Sequence, residues 1–513
     1  MMETKYRASK LCLIISGPTL HEAREQIRKA NSRAGMLEFR LDQFHFTQAE
    51  AIRQLMESTS LPVIFTLRRR LHGGEFSGSR PDHLKQVKIL AALNPAYFDL
   101  EYDLEIEVFN GVRTISPSTQ LICSYHDFEH TPKELKALLH FMQEKEADIY
   151  KIATMANSSL DMMRMMRFLK ENAKKGERLV MIAMGERGVP SRILGAVYGN
   201  AIHYTILTEA LKVASGQLTV DVMVSQYHIE KLNETTRVLG LIGDPVTYSK
   251  SDVTHNTVLH NLGINAVYVK FQVNADEIQE FLEHAKKLDI HGLSVTMPLK
   301  ELALRACGEL SENAKKIGAV NTLFFKNKVV FGDNTDAKGA LDVIEQRGLV
   351  AEKRVVLVGA GATAKAIACE AFQRGAKIIV LNRTIGKAHE IANEVKGDSG
   401  TLADFDVFAR KGYDILINCT PFGMIAERAK VPIDYSALLS YRLVFDVIVT
   451  DTLSPFLVEA RALQCEVIPG IEMFIQQAIE QFNLWFHNEV DETLIKSSFN
   501  QIILKYQDAL LVK

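Results

Sequence analysis

Short apolar segments recur eight times between residues 10 and 225, and segments with helical spacing lie between most of them. They read KLCLIISG, GMLEFRLD, LPVIFTLR, AYFDLE, TQLICSYHD, ADIYKIAT, RLVMIAMG and AIHYTIL. Eight strands with helical crossovers are typical of a parallel (β/α)8 TIM barrel, whose reactive groups gather at the carboxyl ends of the strands. We therefore predict an α/β fold that begins with such a barrel over residues 1–225.

The segment QYHIEKLNETT, residues 226–236, is polar and charged and contains no glycine, proline or apolar run. A segment of this kind between two apolar-patterned halves is typical of a domain linker. After it we predict a subdomain of mixed strands and helices over residues 237–340 and 471–513. Between those two pieces, residues 341–470 are predicted to form a Rossmann nucleotide-binding subdomain.

The composition is that of a soluble globular protein, with 47% hydrophobic and 24% charged residues and a formal net charge of −2. This charge gives no reason to expect nucleic acid or membrane partners. The six cysteines form no CxxC pair, which argues against disulfides, a zinc site or any other metal. No apolar run approaches the ~18 residues of a membrane span, and the start of the chain lacks the pattern of a signal or transit peptide. We expect a cytoplasmic protein; its oligomeric state stays open.

Lys151 interrupts an apolar strand, and its parity with the apolar residues two positions away points it into the barrel. Burial disfavours the ammonium form and leaves an amine that can attack a carbonyl. The alternative is a structural salt bridge with Glu38 or Glu101. His126, near the end of the preceding strand, favours catalysis, because imine chemistry needs a group that transfers protons near neutral pH.

Three arginines of the first half lie at or near predicted strand and helix ends: Arg40, Arg68 and Arg192. They could clamp a substrate carboxylate bidentately, or they could bridge acidic neighbours. Glu38 lies two residues before Arg40, so their side chains share one face of a strand.

The segments EFRLD, TLR…HGGEFSG, SYHDF-x-x-TP, DIYKIAT, GVPSRILG and ASGQLTV occur in this order. Together they resemble the type I 3-dehydroquinate dehydratases. The resemblance implies that Lys151 forms a Schiff base with the C3 carbonyl of 3-dehydroquinate. It also implies that His126 removes the C2 proton and helps the C1 hydroxyl leave as water. The substrate-binding positions it implies are Glu38, Arg40, Arg68, Arg192, Ser215 and Gln217.

Two departures from that family concern loops near the expected site. His72 stands before the paired glycines, where an acidic residue is usual. The segment between Ala214 and Gln217 is shortened and lacks the usual proline. Both bear on how the loops cover the site, and the second bears on the equivalence of Ser215.

The segment RVVLVGAGATAKAIACEAFQRGAKIIVLNRT has the pattern strand, glycine turn, helix, strand. It carries Gly359-x-Gly361-x-x-Ala364, the GxGxxG/A fingerprint of dinucleotide-binding folds in its required context. The acidic residue that NAD's ribose requires after the second strand is replaced by Asn382-Arg383-Thr384. An arginine there suits the 2′-phosphate of NADP; the alternative is an ordinary surface arginine.

Further segments of the second half are GLIGDPVTYSKS, GLSVTMPLK, GAVNTL, DNTD, NCTPFGM and GIEMFIQQA. Together with the glycine turn and NRT they resemble the shikimate dehydrogenases over residues 237–490. The resemblance implies that Lys300 and Asp336 handle the proton while hydride passes from NADPH to the C3 carbonyl of 3-dehydroshikimate. The substrate contacts it implies are Ser249, Ser251, Thr296, Asn321 and Gln477. The cofactor contacts it implies are Gly359, Ala360, Gly361, Ala362, Thr363, Ala364, Asn382, Arg383, Thr384, Thr420, Gly423, Met424 and Gly470.

Each polar residue of this half has an ordinary explanation when taken alone. The pair Ser249 and Ser251 could be a polar loop or a helix cap, and Lys300 a solvated lysine at a helix start. This half also departs from the family at two positions. Asp252 stands where proline is usual, and Val449 where a substrate-lining tyrosine is frequent.

The two halves together resemble the bifunctional dehydroquinate dehydratase–shikimate dehydrogenases, in which the product of the first site is the substrate of the second. The expected ligands are 3-dehydroquinate, 3-dehydroshikimate, shikimate and NADP(H). One alternative is a ligand-sensing regulator built from the same modules, which would not need Lys151, His126, Lys300 and Asp336. Another is a quinate enzyme that uses NAD, against which Arg383 argues.

Overall fold

A computed structural model describes residues 10–46, 48–423, 431–439, 442–450, 452–487 and 489–511. The chain divides into two compact units. The first comprises Met1–Gly240, Pro245–Asn256 and Asn265–Ile290, and the second Leu241–Asp244, Thr257–Ile264 and His291–Lys513. The first unit therefore contains the barrel and a stretch of chain beyond the segment 226–236.

The predicted barrel is present in the first unit. Its eight strands hydrogen-bond in the order β7-β6-β5-β4-β3-β2-β1-β8, and the neighbours are parallel. The strands are β1 (Leu11–Ile15), β2 (Met36–Arg40), β3 (Val63–Thr66), β4 (Tyr97–Glu101), β5 (Gln120–Asp127), β6 (Ile149–Met155), β7 (Leu179–Met184) and β8 (His203–Thr205). This is a nearly closed parallel barrel, so the TIM-barrel prediction is confirmed.

Seven helices follow the strands in turn and cover the outside of the barrel, as helical crossovers do. They are α1 (Leu20–Ala30), α2 (Ala49–Met56), α3 (Arg80–Ala91), α4 (Ile106–Ile115), α5 (Leu135–Gln143), α6 (Ser159–Ala173) and α7 (Ser191–Tyr198). Three of them, α1, α3 and α6, begin with a capping box in which a serine or threonine side chain and an acidic residue three positions on satisfy the first N–H groups. These local signals fix where the crossovers start.

The segment 226–236 is packed into the first unit. Tyr227 and Ile229 are buried, and a short 3₁₀ turn spans Ile229–Lys231. The Asp252 carboxylate accepts hydrogen bonds from the Gln226 amide at 2.8 Å and the Tyr227 hydroxyl at 3.1 Å. Asp252 lies in the helix Ser251–Asn261, so these hydrogen bonds connect that helix to the segment 226–236. A proline at position 252 has no side-chain acceptor and could not make them.

The next elements are β9 (Arg237–Gly243), α8 (Ser251–Asn261), β10 (Ala266–Gln272) and α9 (Ile278–Lys287). Both β10 and α9 lie in the first unit. The Asn256 amide group exchanges two 2.8 Å hydrogen bonds with the backbone of Tyr268. This side chain thus substitutes for a strand partner and fixes α8 against β10.

The second unit begins with a mixed sheet. Its elements are β11 (Ile290–Val295), α10 (Lys300–Ala306), β12 (Glu309–Leu310), α11 (Glu312–Ile317), β13 (Thr322–Lys326), β14 (Val329–Asp333) and α12 (Asp336–Glu345). Strands β13 and β14 form a hairpin, and both residues of its turn, Asn327 and Lys328, have positive φ. Strand β11 runs antiparallel to β13, whereas β12 is parallel to β14.

The predicted Rossmann subdomain follows, with a parallel sheet in the order β17-β16-β15-β18-β19-β20. This is the doubly wound order in which ligands bind at the carboxyl ends of the strands. The elements are β15 (Arg354–Val358), α13 (Ala362–Gln373), β16 (Lys377–Leu381), α14 (Ile385–Glu394), β17 (Asp398–Gly400), α15 (Phe405–Arg410), β18 (Ile415–Asn418), β19 (Leu443–Asp446), α16 (Pro455–Ala462), β20 (Glu466–Ile468), α17 (Gly470–Trp485) and α18 (Glu492–Leu511).

All six cysteines are free. Among the helices of the described ranges, none combines the length and the apolar character needed to cross a bilayer.

Helix α17 packs against the mixed sheet of the second unit. The Trp485 indole is 3% exposed, and its N–H donates to the Leu323 carbonyl at 3.0 Å. A Cβ placed on Gly292 of β11 would lie 2.2 Å from the indole nitrogen. A glycine at position 292 is thus what allows the indole to lie flat on the strand.

Gly292→Ala should destabilise the second unit by about 1–3 kcal/mol, the usual cost of overpacking a closed core. The added methyl group must displace the indole and break its hydrogen bond. Trp485 is the only tryptophan of the chain, so urea unfolding followed by tryptophan fluorescence reports on this site directly.

Gly386→Ala is the matched control, because Gly386 lies in helix α14 of the same unit and a Cβ there meets nothing within 4 Å. It should leave the unfolding midpoint unchanged or raise it. Equal destabilisation by both substitutions would contradict the packing described for Trp485.

Candidate active sites

A cavity opens inside the barrel toward the carboxyl ends of its strands. Most of the residues predicted for the first site line it, namely Glu38, Arg40, Arg68, His126, Lys151, Arg192 and Gln217. Ser215 is exposed and does not belong to the lining. The sequence-based selection therefore identifies one contiguous site, apart from the residue whose loop is shortened.

Lys151 lies on β6 with its side chain at the cavity wall and is only 5% exposed. Its Nζ is 3.1 Å from Asp99 Oδ2, 3.5 Å from Glu38 Oε1 and 4.0 Å from the centre of the Tyr204 ring. The salt bridge with Glu38 considered as the alternative to catalysis is present. Because the ammonium group also faces the cavity, a structural ion pair and a reactive amine are both compatible with this position.

Asp99 is the carboxylate that the sequence analysis missed. It accepts hydrogen bonds from Arg68 Nη2 at 2.8 Å and from Ser124 Oγ at 2.6 Å, in addition to Lys151. Burial alone would raise the pKa of Asp99, but the charges of Arg68 and Lys151 outweigh it and hold the pKa below its ordinary value. A signal was available, because Asp99 and Glu101 alternate along AYFDLE and so share a strand face.

His126 lies near the end of β5 and lines the same cavity. Its Nδ1 is buried and has no hydrogen-bond partner among the described residues. Burial, followed by the charges of Arg68 and Lys151, holds the pKa of His126 well below its ordinary value. The imidazole is therefore neutral at neutral pH and able to accept a proton.

The three arginines differ in what compensates their charge. Arg40 makes a bidentate pair with Asp42 at 3.0 and 2.8 Å, and Arg68 pairs with Asp99. In the described part of the chain, no carboxylate lies within ion-pair distance of Arg192. Burial lowers the pKa of Arg192 to about 10, so it remains charged at neutral pH. Arg192 is thus a buried cation that suits an anion from outside the chain.

Two loops close the sides of this cavity. The Gln217 side-chain oxygen accepts hydrogen bonds from the backbone N–H groups of Val213 and Ala214 at 2.8 and 3.1 Å. In the other loop, His72 lines the cavity, and its Nε2 lies 3.2 Å from Asp103 Oδ1. A histidine thus occupies the position where the resemblance implies an acidic residue. The acidic residue near it is Asp103, from another segment of the barrel.

In the second unit, Lys300 and Asp336 form an ion pair between the first residues of two helices, α10 and α12. Asn321 Nδ2 donates to the other carboxylate oxygen of Asp336 at 2.8 Å. Asn321 Nδ2 also lies 3.4 Å from the side-chain oxygen of Gln477, which is carried by α17. Three separate elements therefore fix the orientation of the Asp336 carboxylate relative to Lys300.

The remaining predicted substrate residues lie at element ends. Thr296 follows β11 and donates its N–H to the Ile242 carbonyl at 2.9 Å. Ser249 and Ser251, which belong to the first unit, share a 2.8 Å hydrogen bond between their hydroxyls.

The glycine turn between β15 and α13 has the geometry of a dinucleotide-binding loop. Gly359 has φ of +113°, a conformation that favours glycine. A Cβ on Gly361 would meet open space, so packing within the described residues does not require a glycine there. Ala364 is fully buried where α13 meets the sheet. Ala360, Ala362 and Thr363 complete the turn and the first residues of the helix.

The residues after β16 are open to solvent. Arg383 and Thr384 are exposed, and Asn382 donates its side-chain N–H to the Thr384 carbonyl at 3.0 Å. Lys387, one turn further on, was not selected from the sequence and is also exposed. Within the described ranges, neither Arg383 nor Lys387 has an acidic partner. The loop after β16 and the first turn of α14 therefore carry two positive charges, those of Arg383 and Lys387, that no acidic side chain of the described residues balances.

Three more predicted cofactor residues follow β18 and β20 in the chain. Thr420 bonds to the buried Asn418 at 2.6 Å, and Gly423 has positive φ. Gly470 begins α17, where a Cβ would lie 2.1 Å from the Ile448 carbonyl oxygen. Close packing thus already accounts for a glycine at position 470. Met424 lies outside the described residues.

Across the same described residues, no group of three or more His, Cys, Asp and Glu side chains is arranged to hold a metal ion.

Comparison with protein families gives three matches along the chain. Residues 11–234 match the type I 3-dehydroquinase family, residues 241–323 the shikimate dehydrogenase substrate-binding domain, and residues 343–452 the shikimate/quinate 5-dehydrogenase family.

Two similar proteins extend over most of the chain, and a third matches about half of it. The chloroplastic bifunctional 3-dehydroquinate dehydratase/shikimate dehydrogenase of Arabidopsis thaliana is 33% identical over 473 residues, which cover 88% of this chain and 77% of the relative. The shikimate biosynthesis protein AroDE of Chlamydia pneumoniae is 33% identical over 477 residues, 93% of this chain and 95% of the relative. The shikimate dehydrogenase (NADP(+)) of Pyrococcus furiosus is 38% identical over 267 residues, 52% of this chain and 96% of the relative.

Asp99→Ala should destabilise the barrel by about 3–5 kcal/mol, because it leaves Arg68 and Lys151 buried without the carboxylate that both of them contact. Native-state hydrogen exchange of peptides from β4 to β6 measures this loss locally. Glu105→Ala is the control, since it removes an exposed ion pair with Arg80 in the same barrel and should change exchange little. Equal effects of the two substitutions would contradict the buried network around Asp99.

Proposed function

Since the chain belongs to the family of bifunctional 3-dehydroquinate dehydratase/shikimate dehydrogenases, we propose that the barrel cavity and the Lys300–Asp336 cluster are its two active sites. The enzyme acts in the shikimate pathway. It dehydrates 3-dehydroquinate to 3-dehydroshikimate and reduces 3-dehydroshikimate to shikimate. The observation that carries the assignment of the first site is a buried lysine at the wall of a cavity that also holds a neutral histidine.

In the barrel, Lys151 attacks the C3 carbonyl of 3-dehydroquinate and forms an imine with loss of one water. Before it attacks, Lys151 must lose its ammonium proton, and the carboxylates of Asp99 and Glu38 lie 3.1 and 3.5 Å from its Nζ. The imine withdraws electrons from C2, and His126 removes the C2 proton as the neutral base. The C1 hydroxyl then leaves as water with that proton, and hydrolysis of the imine frees Lys151 and 3-dehydroshikimate.

The substrate is a carboxylate, and Arg192 is the buried cation without a partner in the described chain. A charge-assisted, bidentate contact between the two explains how the ring is oriented with C3 toward Lys151. The guanidinium groups of Arg40 and Arg68, held by Asp42 and Asp99, contribute N–H donors at fixed positions in the same cavity.

In the second site, Lys300 donates a proton to the C3 carbonyl oxygen of 3-dehydroshikimate as hydride reaches the carbon. Asp336 balances the lysine charge, and Asn321 holds the carboxylate in place at 2.8 Å. A reduced nicotinamide, when bound, supplies the hydride. The residues of the glycine turn fit such a group, because Gly361 leaves open space beside the start of α13 for a pyrophosphate.

We assign NADP(H) rather than NAD(H) as the cofactor of this chain. No acidic side chain occupies positions 382–384, where a ribose 2′-hydroxyl would be bound, and Arg383 is exposed without an acidic partner among the described residues. Its guanidinium can contact the 2′-phosphate bidentately, with Lys387 as a second cation. The name of the Pyrococcus furiosus relative, shikimate dehydrogenase (NADP(+)), supports the same choice.

Lys151→Met should abolish dehydration of 3-dehydroquinate and leave NADPH-dependent reduction of 3-dehydroshikimate intact. Lys300→Met is the reciprocal variant and should spare dehydration while lowering the turnover of reduction by about 10²–10⁴-fold, the usual contribution of a positioned proton donor. Borohydride added with 3-dehydroquinate should attach ligand covalently to Lys151 in the wild type and in Lys300→Met, as read by mass spectrometry of the digest. Dehydration that survives Lys151→Met would rule out the imine mechanism.

Arg383→Ala should lower the specificity constant for NADPH about ten- to a hundredfold, since a hydrogen bond to a charged group is worth ~1.5–3 kcal/mol. The specificity constant for NADH should not change, because NADH has no 2′-phosphate. The ratio of the two constants is to be measured at one ionic strength, given that the contact is electrostatic.

Arg461→Ala is the matched control for that ratio, as Arg461 is an exposed arginine of the same unit on α16. A ratio that Arg383→Ala does not move, or a wild-type preference for NADH, would overturn the NADP(H) assignment.

A further inference from the structure

Residues 265–290 belong to the compact unit of the barrel, although the shikimate dehydrogenase substrate-binding family matches them. One barrel side chain that reaches into this stretch at the carboxyl ends of the strands is Arg187. Its Nη1 donates to the Gln272 carbonyl at 3.3 Å and its Nη2 to Asn274 Oδ1 at 2.8 Å. We call residues 272–277 the docking segment.

Glu277, the last residue of the docking segment, also contacts the barrel. It is 8% exposed, and its Oε2 accepts hydrogen bonds from Ser159 Oγ at 2.7 Å and from the Asn274 N–H at 3.2 Å. Arg187 Nη1 lies 3.7 Å from the same oxygen. A buried carboxylate thus joins the start of α6, the docking segment and Arg187, so this contact is far stiffer than an exposed ion pair.

Arg187 lies in the turn between β7 and α7, residues 185–191, and this turn is itself tightly bonded. Ser191 Oγ donates to the Gly188 carbonyl at 2.7 Å and accepts from the Ala183 N–H at 3.0 Å. The Gly188 N–H donates to the Gly185 carbonyl at 3.0 Å. A Cβ on Gly188 would lie 2.3 Å from the Ala183 carbonyl oxygen. These contacts therefore join the turn rigidly to the end of β7 and to the start of α7.

Arg192 is carried by the first turn of α7, immediately after the 185–191 turn. Ion pairs with Asp42 and Asp99 fix the guanidinium groups of Arg40 and Arg68 in the cavity. Arg192 has no such pair within the described residues, so its position depends on the backbone that carries it. Whatever anchors the 185–191 turn also sets where the charge of Arg192 lies.

We propose that Arg187 is a positioning residue of the dehydratase: its contact with the docking segment holds the turn that places Arg192 for the substrate carboxylate. The affinity of the dehydratase site for its substrate then depends on the docking segment, whose sequence matches the shikimate dehydrogenase substrate-binding domain. The inference rests on the proposed role of Arg192 in binding the carboxylate.

The test uses the full-length protein with Arg187→Met and 3-dehydroquinate as substrate. The dehydratase KM should rise about three- to tenfold, within the range of coupling between neighbouring residues, with kcat changed less than about twofold. A group that binds the substrate carboxylate equally well in the ground state and in the transition state affects KM and leaves kcat unchanged. A contact that acts through such a group should therefore change KM alone. Glu277→Gln, which keeps the side-chain shape, should shift KM in the same direction by a smaller factor.

Lys170→Met is the matched control. Lys170, at the other end of α6, pairs with Asp289 at 2.7 Å and so joins the barrel to the same stretch 265–290 far from the turn. It should leave KM unchanged. An equal rise in KM for Lys170→Met and Arg187→Met would mean that general loosening is measured, and the proposal would fail.

A double-mutant cycle decides whether Arg187 acts through Arg192. Arg192→Met should raise KM by itself, and Arg187→Met should add nothing in that background. A further rise in the double variant equal to the rise in the wild-type background would overturn the proposal. An Arg192→Met variant with unchanged KM would instead refute the binding role of Arg192, while the borohydride result for Lys151 would stand apart.

Discussion

A single buried carboxylate, Asp99, holds two cations side by side in the barrel. Two like charges about 4 Å apart repel by ~4 kcal/mol at the effective dielectric of a protein surface, and more where water is excluded. Asp99 contacts Arg68 and Lys151 at 2.8 and 3.1 Å, so its attraction to both cations offsets their mutual repulsion. Lys151 can then lie at the cavity wall with little access to water, which is the position that the proposed imine chemistry requires.

The remaining charges of the cavity follow from this arrangement. Glu38 and Asp42 contact Lys151 and Arg40, so Arg192 is the cation left without a partner in the described chain. A site that binds a carboxylate needs such an excess, because a fully neutralised set of cations would gain little from one more anion. The same surroundings keep His126 neutral, as burial and two neighbouring cations oppose a second positive charge beside them. The proposed base and the proposed anion site thus share one electrostatic origin.

Strand number, parallel order and the position of the nucleotide fold could be predicted, because each depends on short-range patterns such as apolar runs, helical spacing and Gly359 with Gly361. Lys151 was selected as a candidate because a lysine inside an apolar strand is unusual. Asp99 was missed because an acid inside a short strand resembles an ordinary exposed residue until its partners, Arg68 after β3 and Lys151 on β6, are known. The burial of Tyr227 and the use of Asp252 as its acceptor could not be predicted, since they depend on contacts between segments distant in sequence.

The order in which the compact units are synthesised has a consequence for how this protein folds. The unit that contains the barrel takes in chain as far as Ile290, about fifty residues beyond the end of the segment 226–236. When residue 236 leaves the ribosome, β10, α9 and their contacts with α6 and the 185–191 turn do not yet exist. The dehydratase therefore finishes folding only after synthesis of the dehydrogenase has begun, and its last stabilising contacts are encoded in the other enzyme's sequence.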